Sequence, residues 1–153
     1  MKFFFIGKTK EKFFVESEQN FLKYLKKFCT TEVRIFKEET KWEFEKQKIL
    51  ESEKILENID LKNTKNFVIL LDVFWKQFSS EEFAGELEKI FPLWKEIIFV
   101  ISWSYWPSEE LRERADLKLS FSKMTFTHQM LRQILFEQIF RAFSILNNTS
   151  YHK

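Results

Sequence analysis

A chain of 153 residues is long enough for one domain with a sizeable core and too short for two. Its 25 basic and 23 acidic residues give a net charge of +2, which excludes a protein that coats RNA by charge alone but leaves room for a local basic patch. No apolar run approaches the ~20 residues of a membrane span, and Cys29, the only cysteine, excludes a disulfide framework and a cysteine metal site.

Phe3 to Ile6 is a short apolar run that ends at Gly7 and meets Lys8, Lys10 and Lys12 at once. It is too brief for a signal peptide and predicts a buried first strand, in a chain suited to a reducing cytoplasm. From Glu11 to Phe28 the residues Phe14, Phe21, Leu25 and Phe28 recur at helical spacing. Glu32 to Lys37 alternates, with Val33 and Ile35 on one side, as a strand does. Glu43 to Ile59 reads as a helix with Ile49, Leu56 and Ile59 on one stripe.

Phe67 to Leu71 is unbroken and apolar, as in a strand covered on both faces. Ser79-Ser80-Glu81-Glu82 forms a capping box opening a helix through Phe83, Leu87 and Ile90, which Pro92 closes. Ile97 to Ile101 is a second buried strand. Pro107-Ser108-Glu109-Glu110 starts a further helix, with acids at its positive end. Leu117, Leu119 and Phe121 alternate as a short strand, and Leu131, Ile134, Leu135, Gln138, Ala142, Phe143 and Leu146 mark a long amphipathic helix before the tail Tyr151-His152-Lys153.

Strands alternating with helices, and central strands without a polar face, predict a single α/β domain over residues 1–153, with a mostly parallel sheet between two helical layers. Ligands of such sheets bind beyond the carboxyl ends of the strands. Here those ends are Leu71-Asp72, Ile101-Ser102 and Phe121-Ser122. Their position locates a site without naming its chemistry.

Several motifs carry a resemblance. They are Leu71-Asp72, Lys76-Gln77-Phe78-Ser79-Ser80-Glu81, the run from Leu119 to Met130, Glu137-Gln138-Ile139-Phe140-Arg141-Ala142-Phe143, and the closing Tyr151-His152-Lys153. In that order and spacing the chain resembles, from end to end, the RlmH-type family of SPOUT methyltransferases. The resemblance implies a parallel α/β sheet whose C-terminal part is threaded into a deep trefoil knot, and a homodimer with each active site near the subunit boundary. It implies S-adenosylmethionine as cofactor and, as substrate, N3 of a pseudouridine in large-subunit ribosomal RNA within the ribosome. Cofactor contacts are then expected at Leu71, Ser102, Trp103, Phe121, Ser122, Lys123, Met124, Thr125 and Phe126.

One departure stands out. The family loop Ile-Gly-Gly-x-x-Gly is here Ile101-Ser102-Trp103-Ser104-Tyr105-Trp106. Trp94, Trp75 and, on a weaker match, Trp42 also stand at positions where the family carries glycine. All five tryptophans thus fall on glycine positions, in a chain with only two glycines, Gly7 and Gly85. Glycine serves such loops because the backbone must come close to a ligand or take a positive φ. We read the pattern as glycine codons decoded as tryptophan. Genuine Trp103 and Trp106 would instead point to a catalytically silent homologue that binds RNA or the ribosome.

Methyl transfer needs alignment of nucleophile, methyl and leaving sulfur, and removal of the base's N3 proton. It needs no metal, and His128 and His152 lack the clustered partners of a metal site. His152 and Tyr151 are candidates for proton transfer or substrate orientation; a chain-terminal histidine is otherwise a surface residue. Arg141 either holds a phosphate or pairs with Glu137 one turn earlier. His128 is expected to cap and pack the last helix, and the hydroxyls of Ser120, Ser122 and Thr125 to serve binding at the strand end.

Overall fold

The computed structural model describes residues 1–59, 65–102 and 107–152. Three apolar runs and two alternating segments form the strands β1 (Lys2–Ile6), β2 (Glu32–Phe36), β3 (Asn66–Leu71), β4 (Glu96–Ile101) and β5 (Leu117–Leu119), of which β2 and β5 alternate. Every pairing is parallel, in the order β2-β1-β4-β3-β5. The helices between them are α1 (Lys12–Leu25), α2 (Phe44–Asn58), α3 (Ser80–Ile90), α4 (Glu109–Arg114) and α5 (His128–Leu146).

The period of two divides the core. Phe3, Phe5, Ile69, Phe99 and Ile101 point to one face, where Leu25 of α1, Leu87 of α3 and Leu135, Phe136 and Ile139 of α5 cover them. Phe4, Ile6, Val68, Leu70, Ile98 and Val100 point to the other, under Ile55 and Leu56 of α2 and Leu111 of α4. The first face is built on aromatic contact: Phe3 stacks on Phe99 at 5.5 Å between centroids and tilts against Phe136 at 4.9 Å. The abundant phenylalanine is thus largely packing.

Local signals hold at the helix starts. Ser79 Oγ accepts the Glu82 amide at 3.1 Å and Glu82 returns a carboxylate to the Ser79 amide at 2.8 Å, completing the capping box. Ser108 and Thr127 cap α4 and α5 with one hydroxyl each, accepting the Leu111 and Met130 amides.

Three expectations differ from the fold. Ile49 and Ile35 are exposed, not on covered stripes. Burial along α2 begins at Glu51, so its first half overhangs the sheet, and β2 is an edge strand with no fully buried residue. Phe121 lies beyond the last strand, which stops at Leu119. There Ser120 Oγ donates to the carbonyls of Val73 (3.2 Å) and Ser122 (3.0 Å), and the chain turns.

Candidate active site

The tips of β3 and β4 are neighbours in the sheet, and the connection from β5 to α5 folds back over them. Between them lies a cavity of about 540 Å³. Leu71, Asp72 and Val73 line it from β3, and Ile101 and Ser102 from β4. Pro107 borders it before α4; Thr125 to Gln129 and Leu131 close it from the last connection and helix. A smaller adjoining recess adds Phe121, Ser122 and Met124 and shares Leu71 and Phe126.

Each wall has a local cause. The hydroxyls of Ser120, Ser122 and Thr127 shape the connection from 120 to 127: Ser120 ties it to Val73, Ser122 Oγ accepts the Met124 amide at 3.0 Å, and Thr127 caps α5. Pro107 is held through its neighbour, since the Ser108 amide donates to Ser52 Oγ on α2 at 3.0 Å. Asp72 is buried; its Oδ2 accepts Arg112 Nε at 2.9 Å and its Oδ1 the Phe74 amide at 3.2 Å. That carboxylate is committed to structure at the cavity floor.

His128, in the first turn of α5, lines the cavity. Burial, then the charges of Arg132 and Lys10, hold its imidazole well below the usual histidine range, at about 4. At neutral pH it is an uncharged hydrogen-bonding group, flanked in the lining by the polar Thr127 and Gln129.

The structure brings together Leu71, Ser102, Thr125 and Phe126 around the cavity, and Phe121, Ser122 and Met124 around its recess. Lys123 is exposed on the same connection but lines neither. Trp103 and Trp106, with Ser104 and Tyr105 between them, lie outside the described residues, as does Lys153.

Arg141, Tyr151 and His152 form a separate group. Arg141 Nε donates to Glu137 Oε1 at 2.9 Å, a second guanidinium nitrogen contacts the same oxygen, and Tyr151 Oη donates to it at 3.1 Å. His152 Nε2 lies 2.8 Å from Glu81 at the start of α3, and its Nδ1 lies 3.4 Å from Arg141. None of the three lines the cavity. Ten residues of helix separate Leu131 from Arg141, about 15 Å along the axis.

Asp72 lines the cavity as the strand end placed there from sequence, whereas Val73, Pro107, Thr127, Gln129 and Leu131 line it without having been singled out. Asp72 carried a signal, being the polar residue that ends an apolar strand. Gln129 and Leu131 carried none beyond nearness to His128.

Comparison with known proteins gives the family. A family model described as "Predicted SPOUT methyltransferase" matches residues 1–152. A protein of Caldicellulosiruptor saccharolyticus named ribosomal RNA large subunit methyltransferase H is 36% identical over 151 residues, covering 97% of this chain and 96% of its own. One of the same name from Clostridium botulinum is 41% identical over 155 residues, again covering 97% and 96%. Another from Christiangramia forsetii is 49% identical over 107 residues, 69% of this chain and 66% of its own. The match runs through all five strands and the loops that wall the cavity, and the chain belongs to the SPOUT methyltransferase family, whose fold implies the threaded C-terminal knot.

Proposed function

We propose that this chain transfers a methyl group from S-adenosylmethionine to N3 of a pseudouridine in large-subunit ribosomal RNA, as a cytoplasmic homodimer acting on the ribosome. The observation that carries the reading is the convergence of the β3 and β4 tips and the 121–126 connection on one cavity. Its volume lies within the ~300–1,000 Å³ usual for small-molecule sites. Leu71, Ile101, Phe126 and Leu131 supply an apolar wall suited to a purine, and Ser102, Thr125 and Gln129 supply polar groups for a ribose and an amino acid. The described lining residues fit the cofactor.

When bound, the cofactor supplies an electrophilic methyl carbon on a positively charged sulfur. Leu71, Ser102, Phe121, Ser122, Met124, Thr125 and Phe126 would hold and orient it and keep water from the reacting carbon. The neutral His128 adds no cationic charge to the cavity that would hold the sulfonium. Asp72, engaged by Arg112, is poorly placed to take the N3 proton. The family resemblance is what points to Tyr151, His152 and Arg141 as the groups that orient the base and assist proton removal. Their distance from the cavity of their own chain favours action at the cavity of a partner copy.

Incubation with large ribosomal subunits and isotopically labelled S-adenosylmethionine tests the reaction: label is expected at a single pseudouridine, and normal cofactor binding without transfer would overturn it. Mixing His152→Ala protein with Ser102→Trp protein tests the dimer. Activity should reappear in the mixture if tail and cavity come from different copies, and stay absent if both act in one chain.

A second reading, the silent homologue, depends on the tryptophans. Trp94 is 92% exposed and held at φ 54°, the left-handed conformation that favours glycine. Trp42 and Trp75 are also exposed, so no described tryptophan contributes to the core. These features support the glycine reading, and with it the enzyme. Trp94→Gly is expected to raise unfolding free energy by about 1 kcal/mol in a denaturant titration. Intact mass of the protein from its native source separates the readings: five tryptophans would favour the silent homologue.

A further inference from the structure

The connection from β1 to α1 is fastened to the cavity wall. Arg132, fully buried on α5, donates from Nη2 to the carbonyls of Ile6 at 2.7 Å and Gly7 at 2.6 Å, and from Nη1 to Thr9 Oγ1 at 2.9 Å. Thr9 passes the interaction on, donating to Glu18 at 2.6 Å. Gln129, which lines the cavity, accepts the amides of Lys10 at 2.7 Å and Glu11 at 3.2 Å through Oε1. Gly7, at φ 74°, makes the turn.

This fixed stretch carries Lys8, Lys10 and, at the start of α1, Lys12, with Glu11 as its single acid. All three lysines are exposed, and none joins an ion pair among the described residues. The Lys10 amide is bonded to Gln129 of the cavity lining, so this residue stands beside the cavity wall. On the connection that supplies Thr125 and Phe126 to the same cavity, Lys123 is exposed as well.

A small cofactor of the cavity's size has no use for a pinned cationic rim outside it. An RNA nucleotide whose base must enter the cavity does, because its neighbouring phosphates then lie along the mouth, and phosphate contacts set register without reading sequence. We propose that Lys8, Lys10 and Lys12 form a docking rim for the sugar–phosphate backbone on either side of the target nucleotide. The proposal rests on the ribosomal RNA reading above and deepens it. It accounts for a chain of nearly balanced charge engaging RNA: the useful cations are carried on a fastened stretch of backbone beside the cavity.

The test is equilibrium binding of large ribosomal subunits across a salt series, with S-adenosylmethionine affinity measured separately by calorimetry. A Lys8→Gln/Lys10→Gln/Lys12→Gln protein should bind subunits about 30-fold more weakly near 0.1 M salt, with the log–log salt slope shallower by about 2. Its cofactor affinity should stay within about twofold, since none of these side chains lines the cavity. A Lys23→Gln/Lys26→Gln/Lys27→Gln protein removes equal charge at the far end of α1 and should keep most of the subunit affinity. Unchanged binding and slope in the first variant, or an equal loss in the second, would overturn the docking rim. Wild-type protein that binds subunits through these lysines but transfers no methyl would overturn the proposed reaction and leave the rim standing. Wild-type protein that does not bind subunits would overturn both.

Discussion

The two ends of α5 spend their polar side chains differently. At the N-terminal end, Gln129 and Arg132 reach backbone groups of the β1–α1 connection, and His128 is desolvated to neutrality. At the C-terminal end, Glu137, Arg141, Tyr151 and His152 bind one another and Glu81, side chain to side chain, in contact with solvent. Backbone partners cannot be exchanged without moving a strand; exposed side-chain partners can. The first end is therefore architecture, and the second is held loosely enough to be redirected toward a substrate or a second copy.

Arg132→Met is the hardest blow to that contrast. It strips two buried carbonyls and Thr9 of their donor, and we expect a loss of about 3 kcal/mol in urea unfolding. A loss under about 1 kcal/mol would show that the buried end is no more structural than the exposed one. Gln129→Ala removes one acceptor from two amides at the start of α1 and should cost about 1 kcal/mol. Arg141→Ala, at the other end, should cost about 0.5 kcal/mol, the usual worth of an exposed pair one turn apart; methylation assays on the same protein would then report chemistry and not folding.

A separate test of the contrast concerns pH. His128 takes up its proton at about 4 when folded and near 6.5 when unfolded. Between those values the unfolded chain binds more protons, so this group's contribution to stability is present above 6.5 and is lost as pH falls toward 4. Glu18 and Glu51, pushed up by burial, act in the opposite direction above the ordinary carboxylate range and blunt the change. The imidazole resonances of His128 should show a midpoint near 4; a midpoint near 6.5 would mean the buried end is open to water.

Much of this was legible in the chain. Strands as apolar as Val68 to Leu71 and Ile97 to Ile101 admit few other readings, and the Ser79–Glu82 box marked a helix start to the residue. Ile35 and Ile49 misled because periodicity reports which residues share a side, not whether another layer covers it. The cavity was partly legible: Leu71, Ser102 and the 121–126 stretch follow from parallel-sheet geometry and family likeness. The clamp at Arg132 was not, since its partners Ile6, Gly7 and Thr9 are more than a hundred residues away and offer backbone or a single hydroxyl, which leave no mark in composition.

The register of the first strand has a consequence for biosynthesis. Lys2 to Phe5 lie beside Ile98 to Ile101, so until about two-thirds of the chain has left the ribosome, β1 can bond only to β2. Throughout that interval Phe3, Phe4 and Phe5 present an open, sticky edge to whatever else is nearby. A nascent chain stalled between the second and fourth strands would be a client for holding chaperones, and would be prone to aggregate if they were scarce.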